Sequence, residues 1–159
     1  MAYRVFLSHA TADKASAVQI ARCALEIGIE VYLFEWDPKP GALVSDKLKQ
    51  AIDNADAIVV LLTPTSQTSA YTHQEIGYAE RSKKLIVPMV LPGFDPKHLA
   101  MLVGREYVNF DPIRPDEGLV LLRAFLANKK NVKEEEQRRL AGLGILVLLV
   151  CLGAAASSD

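Results

Sequence analysis

Cysteine is scarce in this 159-residue chain: Cys23 and Cys151 stand far apart in unlike surroundings, so no disulfide framework is expected and a reducing compartment suits it. The three histidines, His9, His73 and His98, share no ligand spacing with each other or with the cysteines, so no metal site is expected. There is no excess of either charge. A formal net charge of −1 lacks the basic excess usual for nucleic-acid binding, and no nucleic-acid partner is expected. The opening MAYRVFLSHA lacks the charged start, apolar centre and cleavage site of a signal peptide. Nucleotide-binding glycine motifs are missing too. The turn after the first strand reads SHATADK and holds no Gly-x-Gly-x-x-Gly, and no phosphate-binding Gly-x-x-x-x-Gly-Lys-Ser/Thr occurs anywhere. A phosphoacceptor domain would need an aspartate ending its third strand, where this chain has Thr63-Pro64. Internal repeats and low-complexity linkers are likewise lacking.

Residues 1–127 alternate strand and helix signals, as a parallel α/β sheet requires. Strands are expected at Tyr3–Ser8, Glu30–Phe34, Ala57–Leu62, Leu85–Leu91 and Glu106–Phe110. Pro88 marks the fourth as an edge or a bulge, because proline cannot donate to a ladder. Helical spacing covers Asp13–Ile27, with Ala17, Ile20, Ala21, Ala24 and Leu25 inward and Gly28 as C-cap. Further helices are expected at Ser45–Asn54, with Ser45 as N-cap, at Ser69–Ser82 and at Asp116–Ala127. The DPKPG segment, Asp37–Gly41, must be a loop.

Beyond the domain the pattern changes. Residues 128–139 form a charged helix or linker in which Glu134 and Glu135 precede Arg138 and Arg139 by four residues, the favourable helical order. Leu140–Ala156 is a run of 17 residues with no charge, apolar on every face. A C-terminal helix packed on a domain of this size would keep a polar face toward solvent, so the run is expected to span a membrane, at the short end of the usual length. Lys129, Lys130, Lys133, Arg138 and Arg139 precede it and none follows, which places the folded domain on the cytoplasmic side of a single-pass protein.

Four blocks, in order, resemble the TIR family over residues 1–127: YRVFLSHATADK at the first strand, EVYLFEWDPKPG at the second strand and its loop, SAYTHQEIGYA on a helix, and EYVNF at the last strand. The resemblance implies a flavodoxin-like five-stranded parallel sheet with helices on both faces. In enzymatic members it implies cleavage of the nicotinamide–ribose bond of NAD⁺ by a helical glutamate, with NAD⁺ as substrate and no cofactor. The glutamate maps to Glu75. Tyr71 stands where the family usually has tryptophan, so its contact differs in detail. Ser8 is expected to face the substrate. His9 either lines the site or caps the loop. Trp36 either stacks on an adenine ring or packs at an interface. Asp13 is expected as a helix-start residue, and His73 faces solvent. The loop holding Asp37, Pro40 and Gly41 corresponds to the family's assembly loop, which implies self-association. Two alternatives stand beside this reading: a non-catalytic signalling adaptor, and an enzyme resembling the nucleoside deoxyribosyltransferases.

Overall fold

The computed structural model describes residues 2–33, 44–66, 70–95 and 104–156, except for the side chains of 44, 45, 70–73 and 144–156. Five parallel strands run β1 (Arg4–Ser8), β2 (Glu30–Tyr32), β3 (Ala57–Leu62), β4 (Leu85–Val90) and β5 (Val108–Asn109), in the order β2-β1-β3-β4-β5. Between them lie α1 (Lys14–Leu25), α2 (Val44–Asn54) and α3 (Ala70–Arg81), and α4 (Asp116–Ala156) follows β5. Alternation along each strand divides the core in two. Val5, Leu7, Val59, Leu61, Val87 and Met89 pack with α1 and α4. Phe6, Ile58, Val60, Leu62, Ile86 and Val90 pack with α2 and α3. Because every residue of β3 is buried, its AIVVLL run shows no polar alternation.

Helix α1 ends as its glycine predicts. Gly28 has φ +70°, its N–H donates to Leu25 O at 2.9 Å, and the Ile29 N–H donates to Ala24 O at 3.2 Å. This paired closure needs a left-handed residue, which glycine adopts without strain. Two details of the helical reading change. Leu25 is 46% exposed and Cys23 takes an inward position at 3%. Helix α2 begins at Val44, which puts Ser45 inside the first turn instead of at the cap.

Pro88 does not mark an edge. Its strand lies between β3 and β5, and Pro88 is in register with Val60. The Leu91 N–H donates to Leu62 O on the β3 side, while Val90 O accepts from the Phe110 N–H on the β5 side. Alternation turns the missing N–H of Pro88 toward β5, and β5 pairs only Met89 and Val90. No ladder bond is lost.

After residue 127 the charged stretch takes the helical of its two expected forms and is continuous with the helices on either side: α4 is one helix of 41 residues, about 60 Å long at 1.5 Å per residue. Residues 127–139 contain no proline or glycine to stop it. The charged stretch is partly structural. The Lys130 ammonium donates to Ile27 O at 2.8 Å, and that of Lys133 to Ala2 O at 3.0 Å and to both Asp56 carboxylate oxygens at 2.8 and 2.7 Å. Lys133 also lies 5.7 Å from the Tyr3 ring centre, and the Arg4 N–H donates to Asp56. Burial and the Asp56 charge push the Tyr3 phenol up to about 12. Among the described residues no helix is long and apolar enough to cross a membrane. The expected span, 140–156, lies on the last part of α4, where side chains are described only as far as Leu143.

At the other end of α4, Gly118 sits against β5. A Cβ there would lie 2.5 Å from Asn109 O and 3.3 Å from two atoms of Phe110.

Candidate functional site

In an open parallel sheet, ligands bind outside the carboxyl ends of the strands, where adjacent crossovers go to opposite faces. Here that point lies between β1 and β3: α1 follows β1 onto one face and α3 follows β3 onto the other.

Two polar side chains meet at this end. Ser8 is the last residue of β1 and is 1% exposed, and Glu75 on α3 is also 1% exposed. They are 67 residues apart in sequence, and the Ser8 hydroxyl donates to Glu75 Oε2 in a short hydrogen bond. Glu75 adjoins Ile76, and Ala79 follows one turn later, and both of these are fully buried against the sheet. A carboxylate thus occupies a position on the packing face of an amphipathic helix. Burying an ionised carboxylate costs several kcal/mol unless hydrogen bonds replace water. Ser8 supplies one. The arrangement gives a carboxylate with a fixed direction in a poorly solvated place, where its charge acts more strongly than in water. Such a group can stabilise a developing cation or accept hydrogen bonds from sugar hydroxyls.

The other expected site residues fall as follows. His9 follows Ser8 and is buried, at 8% exposure. Tyr71 is on α3, one turn before Glu75, and its side chain, like that of His73, lies outside the described residues. Trp36, Asp37, Pro40 and Gly41 also lie outside them. Asp13 makes no side-chain cap at the start of α1 and accepts a hydrogen bond from Thr63 Oγ1 at 2.7 Å. Thr63 and Ser66, directly after β3, are both buried and bonded to each other. Sequence reasoning passed over this pair. The available signal was the TPTS cluster following a fully apolar strand, since hydroxyl residues there fold back on nearby backbone. Two clefts among the described residues lie away from Glu75. One, of about 440 Å³, lies between β2 and α2, and one of about 410 Å³ lies beside the ends of β4 and β5.

The model of the family described as TIR domain matches residues 5–123. No curated protein matches the chain. Among solved structures it is similar to the TIR domain of a Toll-related receptor from Hydra magnipapillata. The TM-score is 0.66 and the identity 17%, over 78% of this chain and 95% of that one. A TIR-STING receptor from C. gigas gives 0.64 at 22% identity, over 76% of this chain and 39% of that one. A CMP N-glycosidase from Clostridium botulinum gives 0.58 at 20% identity, over 77% of this chain and 98% of that one. At these identities the likenesses concern the fold.

Proposed function

The chain belongs to the TIR domain family, and from that premise we propose that it is an NAD⁺ glycohydrolase of the family's enzymatic branch, with Glu75 as catalytic carboxylate. The observation that carries this reading is the buried contact between Ser8 and Glu75 at the carboxyl end of β1. Nicotinamide in NAD⁺ is already cationic and leaves without being protonated. The ribose then takes on oxocarbenium character, as in glycoside hydrolysis. A carboxylate aimed at the place where that charge develops lowers the barrier without reorganising. Tyr71, one turn earlier on the same helix, flanks the sugar in this scheme. Water capture gives ADP-ribose, and capture by an internal nucleophile gives a cyclic form. A defence or cell-death signalling role accompanies this reading of the family.

The likeness to a CMP N-glycosidase favours a second reading, in which the same carboxylate cleaves the N-glycosidic bond of a nucleotide. Incubation with NAD⁺ and with CMP, read as release of nicotinamide or cytosine, separates the two. An adaptor without catalytic activity would release neither.

The assembly loop at 37–41 is part of the same proposal. Two prolines limit its conformations, so ordering it between neighbouring domains costs less entropy than ordering a flexible loop. Specific activity should therefore rise with protein concentration. A flat value from nanomolar to high micromolar would mean that each domain works alone.

Membrane attachment through Leu140–Ala156, with the domain on the cytoplasmic side, completes the proposal. Helix α4 runs antiparallel to the strands. Lys130 and Lys133 tie it to Ile27, Ala2 and Asp56, at the amino ends of the strands. The apolar run therefore leaves the domain at the end opposite Glu75, so an anchored copy would hold its site away from the bilayer. Full-length protein should stay in the pellet through carbonate and high-salt washes. Recovery in the supernatant without detergent would remove the anchor from this account.

A further inference from the structure

The loops after β1 and β3 part toward opposite faces of the sheet, and a hydrogen bond joins them across the gap. Thr63 Oγ1, directly after β3, donates to Asp13 Oδ2, in the turn after β1, at 2.7 Å. The Thr63 hydroxyl also accepts from the Ser66 N–H at 3.1 Å. Ser66 Oγ in turn donates to Thr63 O at 2.9 Å and accepts from the Thr63 N–H at 2.8 Å. Thr63 is 2% exposed and Ser66 is fully buried. The threonine is therefore held by its own backbone and by Ser66, and it presents its proton in a fixed direction. Asp13 accepts that hydrogen bond and caps neither the short 3₁₀ turn Thr11–Asp13 nor α1. An aspartate at a helix start ordinarily accepts from its own helix. This one is used across the switch point instead.

We propose that Asp13 and Thr63 are positioning residues for the Glu75 site: their bond holds the segment after Ser8 against the end of β3, so that the Ser8 hydroxyl keeps its direction on the Glu75 carboxylate when substrate enters the gap. The proposal rests on the reading of Glu75 as catalytic. Between Ser8 and α1 the chain is braced locally by the turn bond from the Asp13 N–H to Ala10 O at 2.8 Å. A bond inside the segment fixes its shape, whereas the Thr63 bond fixes its place relative to β3. Displacement of a catalytic constellation by about 1 Å costs about 100-fold in rate.

The test compares Asp13→Ala, Asp13→Asn, Thr63→Val and the double variant Asp13→Ala/Thr63→Val, by NAD⁺ turnover and by amide hydrogen exchange without substrate. Asp13→Ala and Thr63→Val should each lower kcat about 10- to 100-fold with a smaller change in KM. Asp13→Asn keeps an oxygen that accepts from Thr63 and should stay within about threefold of wild type. The double variant should be no worse than the poorer single variant, since both remove the same bond. Exchange should quicken in residues 9–13 for Asp13→Ala and stay at the wild-type rate for Asp13→Asn. Wild-type kcat in Asp13→Ala overturns the proposal. So does Asp13→Asn falling as far as Asp13→Ala, which would put the Asp13 charge itself on the substrate. Should the wild-type protein not turn over NAD⁺, the glycohydrolase reading fails separately. Exchange then decides alone: a rate in residues 9–13 unchanged by Asp13→Ala overturns the tie.

Discussion

Glu75→Gln should abolish NAD⁺ cleavage, with a loss of at least about 10²- to 10³-fold, the size seen when one preorganised electrostatic group is removed from an active site. The substitution keeps the shape of the side chain. Its amide oxygen can still accept from the Ser8 hydroxyl, which now meets Glu75 Oε2. What disappears is the charge. With shape and acceptor kept at this buried position, the melting temperature should stay close to that of the wild type. Activity and stability should therefore part company. A glutamate kept for structural reasons predicts the reverse: activity unchanged, and any effect confined to stability. Folded Glu75→Gln protein that turns over at the wild-type rate would end the catalytic assignment.

Gly118→Ala should destabilise the domain, although the same change in the interior of a helix normally stabilises it by about 1 kcal/mol. Two effects compete. Alanine lowers the entropy cost of the helical backbone, but its Cβ would sit 2.5 Å from the Asn109 carbonyl oxygen. That oxygen belongs to the backbone of β5 and cannot rotate aside, and Phe110 closes in at 3.3 Å. Relief requires the first turn of α4 to move off the sheet, and overpacking of this kind costs about 1–3 kcal/mol. The clash should win by about 1–2 kcal/mol, lowering the melting temperature by about 2–8 °C. Gly142 on the same helix is the control. A Cβ there meets nothing within 4 Å, so Gly142→Ala should be neutral or stabilising. Equal effects at both positions would mean that helix propensity, not close approach to β5, governs Gly118.

How much of this was legible in the sequence depends on the range of the interaction. The strand AIVVLL is delimited by its own composition and occupies the expected residues Ala57–Leu62. Gly28 ends α1 for a reason contained in one residue. Pro88 misled because a local rule met a sheet whose neighbouring strand is only two residues long, which no local pattern reveals. The stretch 128–139 reads in sequence as a solvated helix or linker, because its charges show no packed face. Lys133 in fact reaches Ala2 and Asp56, contacts more than seventy residues away in sequence. The site shows the same division. Glu75 stood out only through the resemblance of its block, since a glutamate on a helix is ordinarily solvated. Its burial and its bond to Ser8 depend on the crossover that brings α3 over the end of β1. Asp13 was recognisable as a helix-start residue, but its acceptance of a bond from Thr63 belongs to the tertiary fold.

Glu75, beside the carboxyl end of β1, is the group proposed to break the nicotinamide–ribose bond. The most direct test of this role is mass spectrometry of the products formed from NAD⁺ by the full chain, with Glu75→Gln protein as the blank. The wild-type protein should release nicotinamide together with an equal amount of linear or cyclic ADP-ribose, and the variant should leave NAD⁺ intact. Intact NAD⁺ in both reactions, from folded protein at high concentration, would contradict it.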